Sequence, residues 1–167
     1  MAEKHVVVHD GVIDSGDVFV IIDPLWSSVD TENEERYVED MKRFSEPQQY
    51  VFAVCQYRAE VNNGGHDQFY SNSAGIVWEE AAAGLDAIGA AELRAILDES
   101  VERMGGRPSK NRERRFEQLD SAQWDFDDLD ERFYELEGSN DFDSLLPDYI
   151  KKHRDSFYFD GMVEQVD

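Results

Sequence analysis

The stretch QQYVFAVCQYRAEV, residues 48–61, is apolar around most of its circumference when wound as a helix. A helix of that kind has no face to give to water, so it must sit at the centre of the fold with other elements packed around it. Its start is marked by Ser45 and Gln48, which have the spacing of a capping box, and by Pro47 in the first turn. Its end is marked by NNGG, residues 62–65, where glycine can take the left-handed conformation that closes a helix.

The segments around it are also helical in pattern. Thr31 with Glu34 fits a capping box before ENEERYVEDMKRF, in which Tyr37, Met41 and Phe44 form one apolar stripe. HDQFYSNSAG (66–75) reads as a short helix and a turn. IVWEEAAAGLDAIG (76–89) and AAELRAILDESVERM (90–104) read as alanine-rich helices, the second closed by Gly105 and Gly106. RPSKNRERR (107–115) reads as a basic, polar connector, and FDDLDERFYELEG (126–138) and FDSLLPDYIKKHR (142–154) as the last two helices. The tail from residue 155 carries Phe157, Tyr158 and Phe159 as packing residues. The first 28 residues are ambiguous. HVVVHDGV and DVFVII form either two short strands around Asp10 and Gly11, or a disordered lead-in followed by a helix with Phe19, Ile22, Leu25 and Trp26 near one face; the second is preferred, although Pro24 argues against a regular helix. The expectation is an all-α chain: a lead-in over residues 1–16, then a single compact multi-helix acidic domain over 17–167. The N-terminal 15–25 residues stay open between disorder and short strands. A length of 167 residues suits one domain with a real core.

Charge is the second constraint. Thirty-eight acids stand against 16 Lys and Arg, a formal net charge of −22. Such a chain repels nucleic acid and anionic membranes and attracts basic proteins or cations. Residues 117–148 hold twelve carboxylates and one basic residue, Arg132. On a helix, Phe126, Leu129, Phe133 and Leu136 make a core-facing stripe, and Asp125, Asp128, Glu131 and Glu135 fall on the opposite side. Residues 10–46 carry eleven acids, with Glu32, Glu35 and Glu39 facing away from the Tyr37 stripe. Helical neighbours about 5–6 Å apart repel by roughly 0.7 kcal/mol per pair in water. Each row therefore opposes folding, and exposed Lys or Gln would relieve it. A single acidic face is ordinarily solvated surface. Two ridges with so large a net charge suggest more, because phosphates along a DNA strand lie roughly 6–7 Å apart and carboxylate rows approach that pitch. The candidate phosphate-mimicking groups are Glu32, Glu35, Glu39, Asp125, Asp127, Asp128, Glu131, Glu135, Asp141 and Asp143.

Other chemistry is poorly supported. DFDDLDERFYE lacks the central glycine of a calcium loop, and His5, His9, His66 and His153 have no zinc spacing. The lone Cys55 forms no internal disulfide and reads as a buried, inert thiol. His66 and Asp67 are adjacent, so on a helix they point apart. GGHDQFYSNSAG has no Lys after its glycines and is no phosphate loop. The basic run from Arg103 to Arg115 is expected to pair internally. No enzyme activity, cofactor or metal is expected. The apolar run at the N-terminus is too short for a signal peptide and no window suits a membrane span, so a cytoplasmic location is expected.

RAEVNNGGHDQFYSNSAGIVWEEAAAGLDAIGA (58–90) resembles the signature of a bacterial all-helical family that includes a small DNA-mimic protein. DFDDLDERFYELEG and LPDYIKKHRDSFYFDG resemble its C-terminal portion, and DPLWSSVD is similar to its early segment; the likeness spans about residues 20–161. The resemblance implies a monomeric or weakly associating protein whose acidic surface imitates duplex DNA. It would occupy the DNA-binding face of a dimeric helix-turn-helix regulator and keep it from its operator. The alternative is an immunity-type inhibitor of a basic nuclease or toxin. An enzyme centred on His66 and Asp67 ranks last.

Overall fold

Ser45 caps the central helix as its sequence indicates. Its hydroxyl accepts the Gln48 N–H at 3.3 Å, and the Gln48 side chain accepts the Ser45 N–H at 2.9 Å. In the computed structural model, which describes residues 2–166, this helix is the fifth of ten among those residues. The order is β1 (Glu3–Val8), α1 (Asp10–Asp14), α2 (Val18–Ile21), α3 (Asp23–Ser28), α4 (Glu34–Met41), α5 (Glu46–Ser71), a 3-10 turn (Ser73–Val77), α6 (Trp78–Ala87), α7 (Ala91–Arg103), α8 (Arg112–Asp120), α9 (Asp127–Gly138), α10 (Leu145–Lys152), a second 3-10 turn (Arg154–Ser156) and β2 (Phe159–Glu164). Helices α3, α6, α8 and α9 and both 3-10 turns pack on α5. Val51 to Cys55, Tyr57, Val61, Phe69 and Tyr70 are buried along its length, which is the all-round burial that its composition demands. Among the described residues, no helix is long and apolar enough to cross a membrane.

The backbone leaves helical geometry at Gly64 and Gly65, where NNGG places the end of the first helix, so α5 is two helical segments meeting at a kink. Gly65 has φ +75° and ψ −175°, and helix resumes at once with His66. A Cβ at Gly65 would collide with the Asp130 carboxylate, so glycine is needed here both for its backbone angle and for the close approach of α9.

Three local readings change. Asn33, not Thr31, caps α4, accepting the Arg36 N–H at 3.0 Å; the Thr31 hydroxyl bonds Ser73 instead, at 2.9 Å. The connector read over residues 107–115 contains the start of a further helix, α8, capped by Asn111 accepting the Arg114 N–H at 3.0 Å. The N-terminus is not a disordered lead-in. Residues 3–8 form a strand antiparallel to β2, in register from Glu3 opposite Glu164 to Val8 opposite Phe159. Val6, Val8 and Val163 from this pair are buried in the core. The DVFVII segment is helical, as the preferred reading has it, with the Asp17 carboxylate accepting the Val20 N–H at 3.3 Å. In the tail Phe157 is fully buried, Phe159 packs partly buried against the core and Tyr158 is largely exposed.

Arg115 is the only residue of α8 that is buried. Its guanidinium donates to the carbonyls of Tyr70 (2.9 Å) and Asn72 (2.8 Å) at the end of α5, and to those of Ser109 (2.8 Å) and Lys110 (3.2 Å) before α8. The carbonyls closing a helix have no partners within it, and here one side chain supplies several donors at once. Burial pulls the Arg115 pKa down to about 10.

Candidate partner-binding surface

The acidic helix α9 is anchored on its inner side by polar ties as well as by Leu129 and Phe133. His66 is fully buried, with its backbone N–H 2.9 Å and its Nδ1 2.6 Å from one Asp130 oxygen, and its Nε2 2.9 Å from the Tyr57 hydroxyl. Asp130 thus receives the first free N–H of the helical segment that restarts after Gly65, a position that favours a carboxylate. Arg58 donates to both oxygens of Glu137 at 2.6 and 2.8 Å, and the Tyr134 hydroxyl donates to the Val61 carbonyl at 2.9 Å. These contacts orient the helix so that Asp127, Glu131 and Glu135, at steps of four, look outward. The His66 ring is surrounded by Tyr57, Phe126 and Phe133, and both of its nitrogens are occupied, so it has no nitrogen left for a substrate.

The ten candidate carboxylates separate into two groups. Glu32 receives Arg112 Nη1 on both oxygens, at 2.9 and 3.1 Å. Glu39 receives Lys42 at 2.6 Å. Asp128 receives Arg103 at 2.6 and 2.8 Å, and that guanidinium holds its carboxyl down to about 2. Glu35, Asp125, Asp127, Glu131, Glu135, Asp141 and Asp143 are exposed and have no cationic group within 4.0 Å among the described residues. Asp125 does not lie on α9: it precedes the helix, and its side chain accepts the Asp127 N–H at 3.2 Å. Asp141 and Asp143 lie in turns between α9 and α10. The two acidic segments are not one continuous ridge along the chain. Arg112, which holds Glu32, is the first residue of α8, and Asp125 comes after the other end of that helix.

The expectation for the basic run is largely met. Arg103, Arg107, Lys110 and Arg112 pair with Glu99 and Asp128, Glu79, Glu80 and Glu32 respectively. Arg115 turns to backbone carbonyls instead, and Arg132, the lone cation of the acidic stretch, reaches Glu99 at 3.0 Å on α7. The cations therefore tie elements together and leave one strip of α9 uncovered.

Asp127, Glu131 and Glu135 border a shallow, open concavity around Tyr134, with Asp130 behind it. Asp67, on α5 beyond the kink, belongs to the same field. Its pKa is raised, first by partial burial and then by the charges of Asp130, Asp127 and Asp125. Sequence reasoning passed over Asp67 because it weighed the residue only as a partner for His66. The available signal was the glycine pair before it, whose bend turns Asp67 toward α9. Among the described residues, no three His, Cys, Asp or Glu are grouped so as to hold a metal ion. Cys55 is buried, its pKa pushed up to about 12 by burial.

Fold and surface together define a class: an all-α acidic protein whose internal cations leave a carboxylate strip unneutralised. Residues 42–153 match the DMP19-like protein family, and the chain belongs to it. This is the DNA-mimic family that the motif around NNGG resembles, and membership supports a DNA-mimic role exercised on DNA-binding proteins. No curated protein matches the chain, and no solved structure does.

Proposed function

We propose that this chain is a DNA mimic that occupies the DNA-binding face of a helix-turn-helix regulator, dimeric in its active form, and blocks operator binding. The observation that carries the reading is the row Asp127, Glu131 and Glu135, left without cations while neighbouring Asp128 and Glu99 are both taken by arginines. Residues four apart on a helix are separated by about 6 Å along the axis, close to the roughly 6–7 Å between phosphates on one DNA strand. Carboxylates so placed accept charge-assisted hydrogen bonds from arginine, lysine and helix N-termini, the groups that otherwise hold phosphates. Glu35, Asp125, Asp141 and Asp143 extend the negative field. Glu32, Glu39 and Asp128 contribute less because internal cations share their charge.

The test is capture of the regulator from host extract at low ionic strength, followed by salt elution and competition with duplex DNA. Binding is expected to weaken steeply with salt. Asp127→Lys, Glu131→Lys and Glu135→Lys together should abolish capture with the helical spectrum intact. The corresponding neutral triple (Asn, Gln, Gln) should lower the slope of log K against log salt by about 2–3. Release by salt but not by duplex DNA would instead point to the inhibitor of a basic toxin or nuclease. Capture unaffected by the charge reversals would move the site off α9.

A further inference from the structure

Trp124 is the most exposed large apolar side chain among the described residues, at 70%. It stands in the bend between α8 and α9, outside the buried core. It borders a cleft of about 570 Å³ whose other walls are Glu99, Glu102, Arg103, Asp125 and Asp128. Four carboxylates thus line a cleft with one guanidinium in its walls; Glu99 is further held by Arg132 at 3.0 Å, and Arg103 is already committed. Arg103 donates to Asp128, to Glu99 at 2.8 Å and to the Asp125 carbonyl at 2.8 Å. The carboxylates of Glu102 and Asp125 have no cation within 4.0 Å among the described residues and are both exposed. Asp128 lies in the first turn of α9, next in the chain to Asp127 of the acidic strip, and Asp125 just precedes that helix.

We infer that this cleft receives an arginine side chain of the DNA-binding partner, its guanidinium stacked on the Trp124 indole and bonded to Glu102 and Asp125. The inference rests on the reading of the chain as a mimic that binds a DNA-binding protein, and it names the anchor. An indole face attracts a cation, and a planar guanidinium can stack on it while forking to a carboxylate, which a compact ammonium does less well. Charge complementarity selects the occupant. A second copy of a chain with net charge −22 is repelled from an acidic cleft, while a surface built to hold phosphates is rich in arginine. The carboxylate strip then supplies long-range attraction, and Trp124 supplies the close, dehydrated contact that slows release.

The probe is hexa-arginine, titrated into the full-length 15N-labelled chain while the indole N–H signals of Trp26, Trp78 and Trp124 are followed. The Trp124 signal should shift saturably. Hexa-lysine should bind several-fold more weakly. Trp124→Leu should weaken hexa-arginine binding roughly two- to thirty-fold, the range of a cation–π contact, and Glu102→Gln with Asp125→Asn should weaken it as well. All these side chains are exposed, and circular dichroism verifies the fold of each variant. A Trp124 signal that does not move, an unchanged affinity in both variants, or a shift that follows protein concentration without peptide would overturn the inference; the last would mean a second copy occupies the cleft. The broader reading fails separately, if reversing the α9 charges leaves partner capture intact. Normal, DNA-competed capture by Trp124→Leu would remove only the anchor.

Discussion

Asp67 shows how a single carboxylate responds to the field around it. Its raised pKa means that the folded state binds its proton more tightly than the unfolded chain does. The ionised form is therefore a liability above that raised pKa, and the penalty shrinks as pH falls through it, disappearing below the ordinary carboxylate value. Asp67→Asn should raise the midpoint of thermal unfolding at pH 7, with the gain fading in acid; thermal scans from pH 7 to pH 3 measure it. Asp128 behaves in the opposite sense. Its depressed pKa gives stability that is present above the unfolded value and lost as pH falls toward about 2. Two acids in one acidic neighbourhood thus have opposite linkage, because Arg103 bonds Asp128 while partial burial and the neighbouring carboxylates act on Asp67.

Among the elements, α8 owes its place to an arginine rather than to an apolar stripe. RERRFEQLD has Phe116 exposed and Arg115 as its buried residue, which is why hydrophobic periodicity does not reveal it and the segment reads as a connector. The Arg115 guanidinium also closes α5 and meets Gly75, where a Cβ would stand 2.6 Å from both Arg115 Nε and the Phe69 carbonyl. Arg115→Met should cost about 3 kcal/mol or more in urea unfolding, since it leaves several buried carbonyls without donors. Arg115→Lys should recover little of that loss, because one ammonium cannot span carbonyls on both sides of the fork. The bend in α5 is similar in kind. The NNGG segment ends one helical segment, as its glycines indicate, and the N–H that opens the next, that of His66, is taken by Asp130, 64 residues further along the chain.

At the scale of the whole molecule, the same charges that would attract a partner oppose the fold. Added salt screens the repulsion between exposed like charges, with a screening length of roughly 10 Å at 0.1 M that shortens as salt rises. Raising salt from about 0.01 to 0.5 M should therefore increase the unfolding midpoint of the free chain while weakening its hold on a DNA-binding partner. The two opposite slopes, read by thermal scanning and by capture, separate the internal from the external work of the carboxylates. A midpoint that falls with salt would show that the internal ion pairs outweigh the repulsion.

What the amino-acid sequence determined by itself was local or additive. The all-round apolar helix with its Ser45 cap, the helical class, the family motif and the net charge of −22 depend on neighbours a few residues apart or on composition. Tertiary structure decided which of those charges remain unpaired. Arg103 crosses 25 residues to Asp128 and Arg112 crosses 80 to Glu32. The strand at the N-terminus likewise finds its partner at residues 159–164. Such pairings follow from where packed helices bring long side chains, and helical periodicity along the chain holds no record of that reach. The sequence could set out a row of acids, but only the packed fold could leave Asp127, Glu131 and Glu135 bare, because a charge is free for another molecule only when no cation of its own lies within reach.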